Sequence, residues 1–370
     1  MIMKRKILKI IFVILFVIIL IVLAAFLFVT FFPSFGGRVS KEDKADYEKR
    51  ADNYADDKFT YPAEWELEGL SEDQIVSDNQ TLPRKNIPVE TPEFADDPDI
   101  DKVTVTWFGH SNMLIQMHGM NILIDPVFSE RTSPVSFVGP KRFSELPLEI
   151  DDLPDIDIVV ISHDHYDHLD MDSIKALNAK SERFIVPLGV ENHLERWGVS
   201  SDKITNTAWW EETEINGLTI ACTPSRHFSG RRIIDSDETL WASWVFKDEY
   251  HQIFESGDSG YGGHFEEIHN RYGDFELVMI DCAQYNMDWH YVHMFPEESA
   301  LAAEALGAQT AMPIHWGAYV LSSHPWDDPA ERFTAAAEKL GITVITPKIG
   351  ETMTPENAEE YQDRWWRTIE

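Results

Sequence analysis

The segment "DIDIVVISHDHYDHLD", Asp155–Asp170, limits this chain more than any other. Its apolar run to Ile161 suits a strand covered on both faces, as in a layered α/β protein. At the C-terminal end of that strand stand His163, His165, Asp167 and His168. The fold must therefore bury the strand and still present four titratable side chains at a sheet edge. Three imidazoles and a carboxylate this close together are what one or two Zn²⁺ ions require, at about 2.0–2.2 Å. His163 and His165 can reach one ion, while Asp167 and His168 turn toward a second. A lone histidine would instead read as a satisfied surface or core residue.

A two-ion site needs more ligands than one loop supplies. His227 follows "LTIACTPSR", Asp258 follows "HQIFESG", and His315 follows "QTAMPI". Each comes after an apolar strand, at its C-terminal edge. Singly each is ordinary; together with the upstream loop they form a set. Short β-rich runs, "VTVTWFG", "NMLIQMHG" and "MNILIDP", open the region from Lys102. Strand meanders followed by helices, twice over, predict two sheets with helices on both outer faces. The helix candidates are "MDSIKALNA", "GVENHLERWG", "GHFEEIHNRYG", "PEESALAAEALG" and "DPAERFTAAAEKLG". "TVITPKIGETM" is expected to close the sheet.

The N-terminus follows a different rule. Ile10 to Phe32 is apolar except at Thr30. That is roughly 35 Å of helix, enough to span a bilayer. Lys4, Arg5, Lys6 and Lys9 precede it, which predicts a cytoplasmic N-terminus with the remainder outside. A retained anchor is expected rather than a cleaved signal. Ser40 to about Asp101 is rich in charge, and its start reads as a solvated helix or a disordered tether. The formal net charge of −33 excludes a nucleic-acid partner, which needs a basic surface. Two cysteines, Cys222 and Cys282, build no disulfide framework and read as small buried strand residues.

The segment from about Val103 to Met353 resembles the metallo-β-lactamase superfamily. Within it, the chain is similar to the N-acylphosphatidylethanolamine-hydrolysing phospholipase D group and its bacterial relatives. The motifs that carry this are "TWFGHSNMLI", "ILIDPVFSERTSPVSFVGPKRF", "ISHDHYDHLD", "TPSRHFSGR", "ESGDSGYGGHFEEI", "HMFPEE" and "IHWGAY". The resemblance implies an α/β fold, an αββα four-layer sandwich, here preceded by one transmembrane helix. It implies two Zn²⁺: His163, His165 and His227 on the first ion; Asp167, His168 and His315 on the second; Asp258 bridging. Nitrogen and carboxylate ligands accept iron and manganese as well. A hydroxide held between the ions would be the nucleophile.

His293, in "WHYVHMFPEE", matches a histidine beside the family's site and is a candidate to bind or protonate a substrate oxygen, with Asp167 as the other catalytic candidate. His110 is expected to hydrogen-bond rather than ligate. Arg226, Tyr285 and His290 are candidate substrate contacts. Arg226, with Arg231 and Arg232, could pair with a substrate phosphate or form surface ion pairs. Arg226 and the loop "DCAQYNMDWHYVH" depart from the lipid enzymes' pattern, which leaves the substrate open: a phosphodiester or N-acyl-phospholipid, a lactone or other ester or amide. A non-catalytic, metal-stabilised surface protein is a third reading, opposed by the complete ligand set. The expected division is 1–9 cytoplasmic, 10–32 anchor, 33–101 acidic linker and lead-in, 102–354 hydrolase domain and 355–370 tail. A domain beginning at about Tyr47 is expected to fold without the anchor.

Overall fold

Side chains alternate across a strand, and the early strands of this chain are apolar on both faces, so each must be covered twice. The computed structural model describes residues 2–60, 81–232 and 235–369. Helix α1 (Ile2–Phe31) is followed by α2 (Lys41–Arg50) and two short strands, β1 (Tyr54–Ala55) and β2 (Lys58–Phe59). The first half of the sandwich holds β3 (Val103–Trp107), β4 (Met113–Met117), β5 (Met120–Ile124), β6 (Ile156–Val160), α3 (Met171–Leu177), β7 (Ser181–Pro187), α4 (Glu191–Arg196) and β8 (Ile204–Thr207). The second holds β9 (Glu212–Ile215), β10 (Leu218–Thr223), β11 (Ser243–Lys247), β12 (Gln252–Glu255), α5 (His264–Tyr272) and β13 (Phe275–Asp281). It continues through α6 (Pro296–Ala305), β14 (Ala308–Ile314), α7 (Asp328–Leu340), β15 (Thr343–Val344) and β16 (Thr352–Met353).

Two seven-stranded sheets result, ordered β16-β3-β4-β5-β6-β7-β8 and β15-β14-β13-β12-β11-β10-β9. Each begins as an antiparallel meander and continues as parallel strands: β5 to β8 in one, β12 to β15 in the other. The period of two is visible in the core. Met113, Ile115, Ile122, Ile124, Ile158 and Val160 face the second sheet. Leu114, Leu123, Val159 and Phe184 pack outward with Ile174 of α3 and Leu194 of α4. Helices α5, α6 and α7 cover the second sheet. This is the expected αββα sandwich.

The closing segment differs from expectation. β15 joins the edge of one sheet and β16 the edge of the other, so "TVITPKIGETM" crosses between sheets. The C-terminal residues are also no loose tail: Trp365 and Trp366 are buried, and Trp365 stacks on Trp316 at 5.4 Å between ring centroids.

α1 is long and apolar enough to cross a membrane, and it begins ahead of the expected span, taking in Lys4 to Lys9. The chain after it is docked, not tethered. α2 forms with a Ser40–Asp43 capping box. Its Tyr47 is buried with Phe59, Leu188 and Trp241, and its hydroxyl bonds Glu191 at 2.5 Å. Arg231 donates to the Ser34 carbonyl from Nε at 3.0 Å and Nη2 at 2.9 Å. Arg232 reaches the Gly36 carbonyl at 2.8 Å, and Trp197 the Pro33 carbonyl at 2.7 Å. Gly36 has φ +75, and a Cβ there would clash with the His193 ring.

These contacts lie outside a domain starting near Tyr47, which was expected to fold without the anchor. Such a fragment would leave the buried Arg231 guanidinium short of an acceptor, a loss of about 1–3 kcal/mol. A fragment beginning at residue 33 should melt like the full soluble domain, and one beginning at Tyr47 several degrees lower. Equal melting temperatures by calorimetry would refute the docking.

Candidate metal centre

The parallel strands point their C-terminal ends to one edge of the sandwich, and the ligand candidates stand there. The loop after β6 carries His163, His165, Asp167 and His168. His227 follows β10, Asp258 follows β12 and His315 follows β14. The backbone is unusual at this edge. His110, Asp125, Gln284 and His315 all take positive φ, between 41° and 68°. For non-glycine residues such conformations cost on the order of 1–3 kcal/mol each, and they collect at functional sites.

The side chains form two clusters. His163 Nε2 lies 2.8 Å from His165 Nδ1, and His227 Nε2 lies 3.1 Å from the same atom. Asp258 Oδ2 is 3.7 Å from both His163 Nε2 and His227 Nε2. In the other cluster, His168 Nε2 is 3.4 Å from His315 Nε2, and Asp167 Oδ2 is 3.3 Å from His315 Nε2. Asp258 Oδ2 also approaches His168 Nε2, at 3.1 Å. One carboxylate oxygen therefore borders both clusters.

The neighbours fix which nitrogen of each ring carries a proton. His227 Nδ1 faces the Val292 carbonyl at 3.1 Å, so it must donate and Nε2 keeps its lone pair. His168 Nδ1 donates to Asp125 Oδ2 at 2.6 Å. Ser162 gives its one hydroxyl proton to Asp125, so its oxygen, 3.0 Å from His163 Nδ1, accepts from that ring. His315 Nδ1 lies between Asp281 Oδ1 at 3.1 Å and Asp258 Oδ1 at 3.3 Å. In the neutral rings the inward nitrogens of His163, His168, His227 and His315 are thus acceptors, and those of His168 and His315 face each other at 3.4 Å. Confronting lone pairs repel unless a cation, a proton or a metal ion, sits among them. The donor set fits two divalent ions, held by His163, His165, His227 and Asp258 on one side and by Asp167, His168, His315 and Asp258 on the other.

Electrostatics point the same way. Burial, reinforced by neighbouring imidazoles, holds His163 well below the usual histidine range; burial likewise lowers His165 and His227, against nearby carboxylates. These rings stay neutral, as metal ligands must. Burial also opposes ionising Asp167 and Asp258, but the imidazoles, His168 foremost, outweigh it and hold both well below the carboxylate range. Burial works against a charged His315 too, yet Asp258 and Asp281 push it up to about 10. His168 is likewise raised, by Asp258, Asp167 and Asp125 over its burial.

Three residues that the sequence reading did not single out support these ligands. Asp125, at the end of β5, accepts from Ser162 N at 2.7 Å as well as from His168. Asp281, at the end of β13, lies 3.2 Å from His293 Nδ1. Asp164, within the ligand loop, pairs with His193 at 3.2 Å. Asp125 in "ILIDP" and Asp281 in "VMIDC" follow the same strand-then-polar pattern that marks His227 and Asp258, so the signal was present. His110 Nε2 lies 2.9 Å from Asp167 Oδ2, and burial together with His315 pushes its pKa down to about 3. A neutral His110 thus steadies Asp167.

His293 stands at the rim. Its ring stacks on His315 at 5.3 Å, and its Nδ1 is held by Asp281. Phe228 packs against His165 at 4.4 Å and, like Trp289 and Tyr291, is exposed. The other candidate substrate contacts lie elsewhere. Tyr285 is buried, its hydroxyl bonded to Asp328 and its ring stacked on His324. His290 is buried 2.8 Å from Glu298, which also caps α6. Arg226 is buried too; it donates to the Tyr261 carbonyl at 2.9 Å and lies over the Tyr291 ring. Arg231 and Arg232, read as possible phosphate contacts, hold carbonyls of the turn after α1 instead. Arg231 Nη1 also donates to the Asp164 and Leu169 carbonyls, at 2.5 and 2.9 Å, and so clasps both sides of the ligand loop.

Comparison with known proteins agrees with this geometry. The family model for the beta-lactamase superfamily domain matches residues 120–316. An uncharacterized protein of Mycobacterium tuberculosis is 39% identical over 307 residues, covering 82% of this chain and 80% of the relative. N-acyl-phosphatidylethanolamine-hydrolyzing phospholipase D 1 of Caenorhabditis elegans is 32% identical over 301 residues, 77% of this chain and 83% of the relative. The solved metallo hydrolase Igni18 of Ignicoccus hospitalis shares the fold, with a TM-score of 0.54 at 22% identity over 68% of this chain and 98% of its own.

The tautomer argument makes Asp125 a determinant of metal affinity. Asp125→Asn should weaken metal binding about tenfold to hundredfold in a chelator competition, because the outer partner orients the ligand. Wild-type affinity in that variant would sink the assignment of His168.

Proposed function

The chain belongs to the metallo-β-lactamase superfamily, and on that footing we propose that it is a membrane-anchored hydrolase working with two zinc ions on the phosphodiester bond of phospholipid-like substrates. The observation that carries the reading is the shared position of Asp258 Oδ2 between two sets of inward-facing acceptors. When bound, a pair of divalent ions lowers the pKa of water and offsets charge on a phosphoryl oxygen. The chain's own residues do the rest. Asp125, Asp281, Ser162 and the Val292 carbonyl fix the ligand tautomers. His110 holds Asp167. Asp281 accepts from His293 Nδ1, so a protonated His293 has its Nε2–H left to donate to the departing oxygen.

The lipid substrate is supported by two things. The C. elegans relative is named for hydrolysing an N-acylated phospholipid. Arg231 also joins the Ser34 carbonyl, three residues past α1, to the carbonyls of the ligand loop. A substrate drawn from the bilayer would have little distance to travel. The basic residues at the start of α1 favour a cytoplasmic N-terminus and an extracytoplasmic catalytic domain.

One observation favours a second reading, hydrolysis of uncharged esters or lactones. Arg226, Arg231 and Arg232 all donate to backbone carbonyls, so the expected phosphate-pairing arginines are engaged. Turnover of a panel containing a simple phosphodiester, an N-acylated phospholipid, a lactone and a β-lactam decides between the two.

His165→Ala or Asp258→Ala should lose bound zinc and activity together; wild-type turnover in either would end the two-metal mechanism. His293→Gln should keep its zinc and lose roughly 10²–10⁴-fold in kcat. An unchanged kcat in that variant, at full metal content, would remove His293 from proton transfer.

A further inference from the structure

The loop after β5 returns on itself as a hairpin. Arg131 and Lys141 form an isolated antiparallel bridge, and Thr132 N donates to the Pro140 carbonyl at 3.2 Å. Arg131 Nη1 donates to the Gly139 carbonyl at 2.6 Å. Gly139 has φ +107, and a Cβ there would press on Ser133, so the neck of the hairpin is closed and defined. At its tip two large apolar residues face solvent: Phe137 is 81% exposed and Val138 58%. Folding contributes nothing that explains this exposure, since the neck is held by backbone and arginine bonds alone.

Position supplies an explanation. Ser34 Oγ donates to the Pro134 carbonyl at 2.7 Å. Ser34 lies three residues past the end of α1, so the hairpin is fastened to the chain as it leaves the apolar helix. Another fastening of that stretch, Arg231, reaches the ligand loop. Charge agrees as well. Between Arg131 and Arg142 there is no acidic residue, in a chain whose net charge is −33. At the base Glu130 pairs with Lys141 at 2.7 Å, while the tip itself carries no acid; an exposed aromatic–aliphatic pair on an acid-free tip is a composition that settles at a lipid headgroup boundary.

We propose that the 133–140 hairpin tip is a second membrane contact, with Phe137 and Val138 inserted into the bilayer interface beside α1. Two attachment points, the helix and the hairpin, fix the tilt of the sandwich where one helix would leave it free to swivel. Arg231 bonds the ligand loop to the juxtamembrane turn, so that tilt also sets how the metal edge faces the bilayer. The inference rests on reading α1 as a membrane span.

The test uses the full chain reconstituted in phosphatidylcholine vesicles. Cys222 and Cys282 are buried, so an environment-sensitive thiol fluorophore goes to an introduced cysteine. Phe137→Cys is one variant. Tyr250→Cys, exposed on the β11–β12 connection at the far end of the strands, is the reference. Flotation first reports whether the chain is embedded. With the chain floating, the label at 137 should shift to the blue and be quenched by nitroxide-bearing lipids, while the label at 250 stays water-like. Equal behaviour at the two positions in floating vesicles overturns the hairpin contact and leaves the anchor standing. A chain that fails to float overturns both.

Discussion

Imidazole lone pairs brought face to face inside a protein are the constraint on which this structure turns. Four rings are held by outward partners so that, in the neutral rings, the inward nitrogens accept. Such lone pairs repel unless a cation, a proton or a metal ion, lies among them. A cation also meets the buried carboxylates beside them. The sandwich exists around that edge: parallel strands deliver the ligands, and a cluster of unusual backbone angles turns them inward. The scaffold tolerates that strain because two full sheets of buried apolar residues lie directly beneath.

Much of this could be read from residue order. The buried strand before His163 dictates a layered fold, and the repetition of strand followed by polar ligand locates His227, Asp258 and His315. The outer supports were harder. Asp125 and Asp281 obey the same pattern, but an aspartate at a strand end has many uses, and only its distance to an imidazole reveals this one. Tyr285 and His290 show the converse. Sequence proximity to His293 suggested contact with substrate, yet a one-turn 3₁₀ segment and the cap of α6 draw both into the interior. A loop's composition does not say which way its side chains point.

Of the two readings of the linker's start, a solvated helix or a tether, α2 is the helix. Its charge does not reveal that one buried side chain docks it, nor does the composition of the C-terminus. Tyr47 does so for α2, and Trp365 with Trp366 for the end of the chain. Long side chains that snorkel or cap bury little sequence and much area. Binary patterning registers the average and misses the single anchor residue.

Arg231 is where these strands of argument meet. Its guanidinium is buried and clasps three backbone carbonyls, from the turn after α1 and from both ends of the ligand loop. Its charge faces the rings of Tyr166, 4.0 Å from the centroid, and Trp197, with Asp164, Asp170 and Asp235 also acting on it. A guanidinium is suited to this because its donors fan out in one rigid plane, which a lysine cannot copy. The same feature that anchors the domain therefore shapes the loop carrying His163, His165, Asp167 and His168. The turn after the apolar helix and the metal edge are thus joined through Arg231, alongside the bonds that Trp197 and Arg232 make to the same turn.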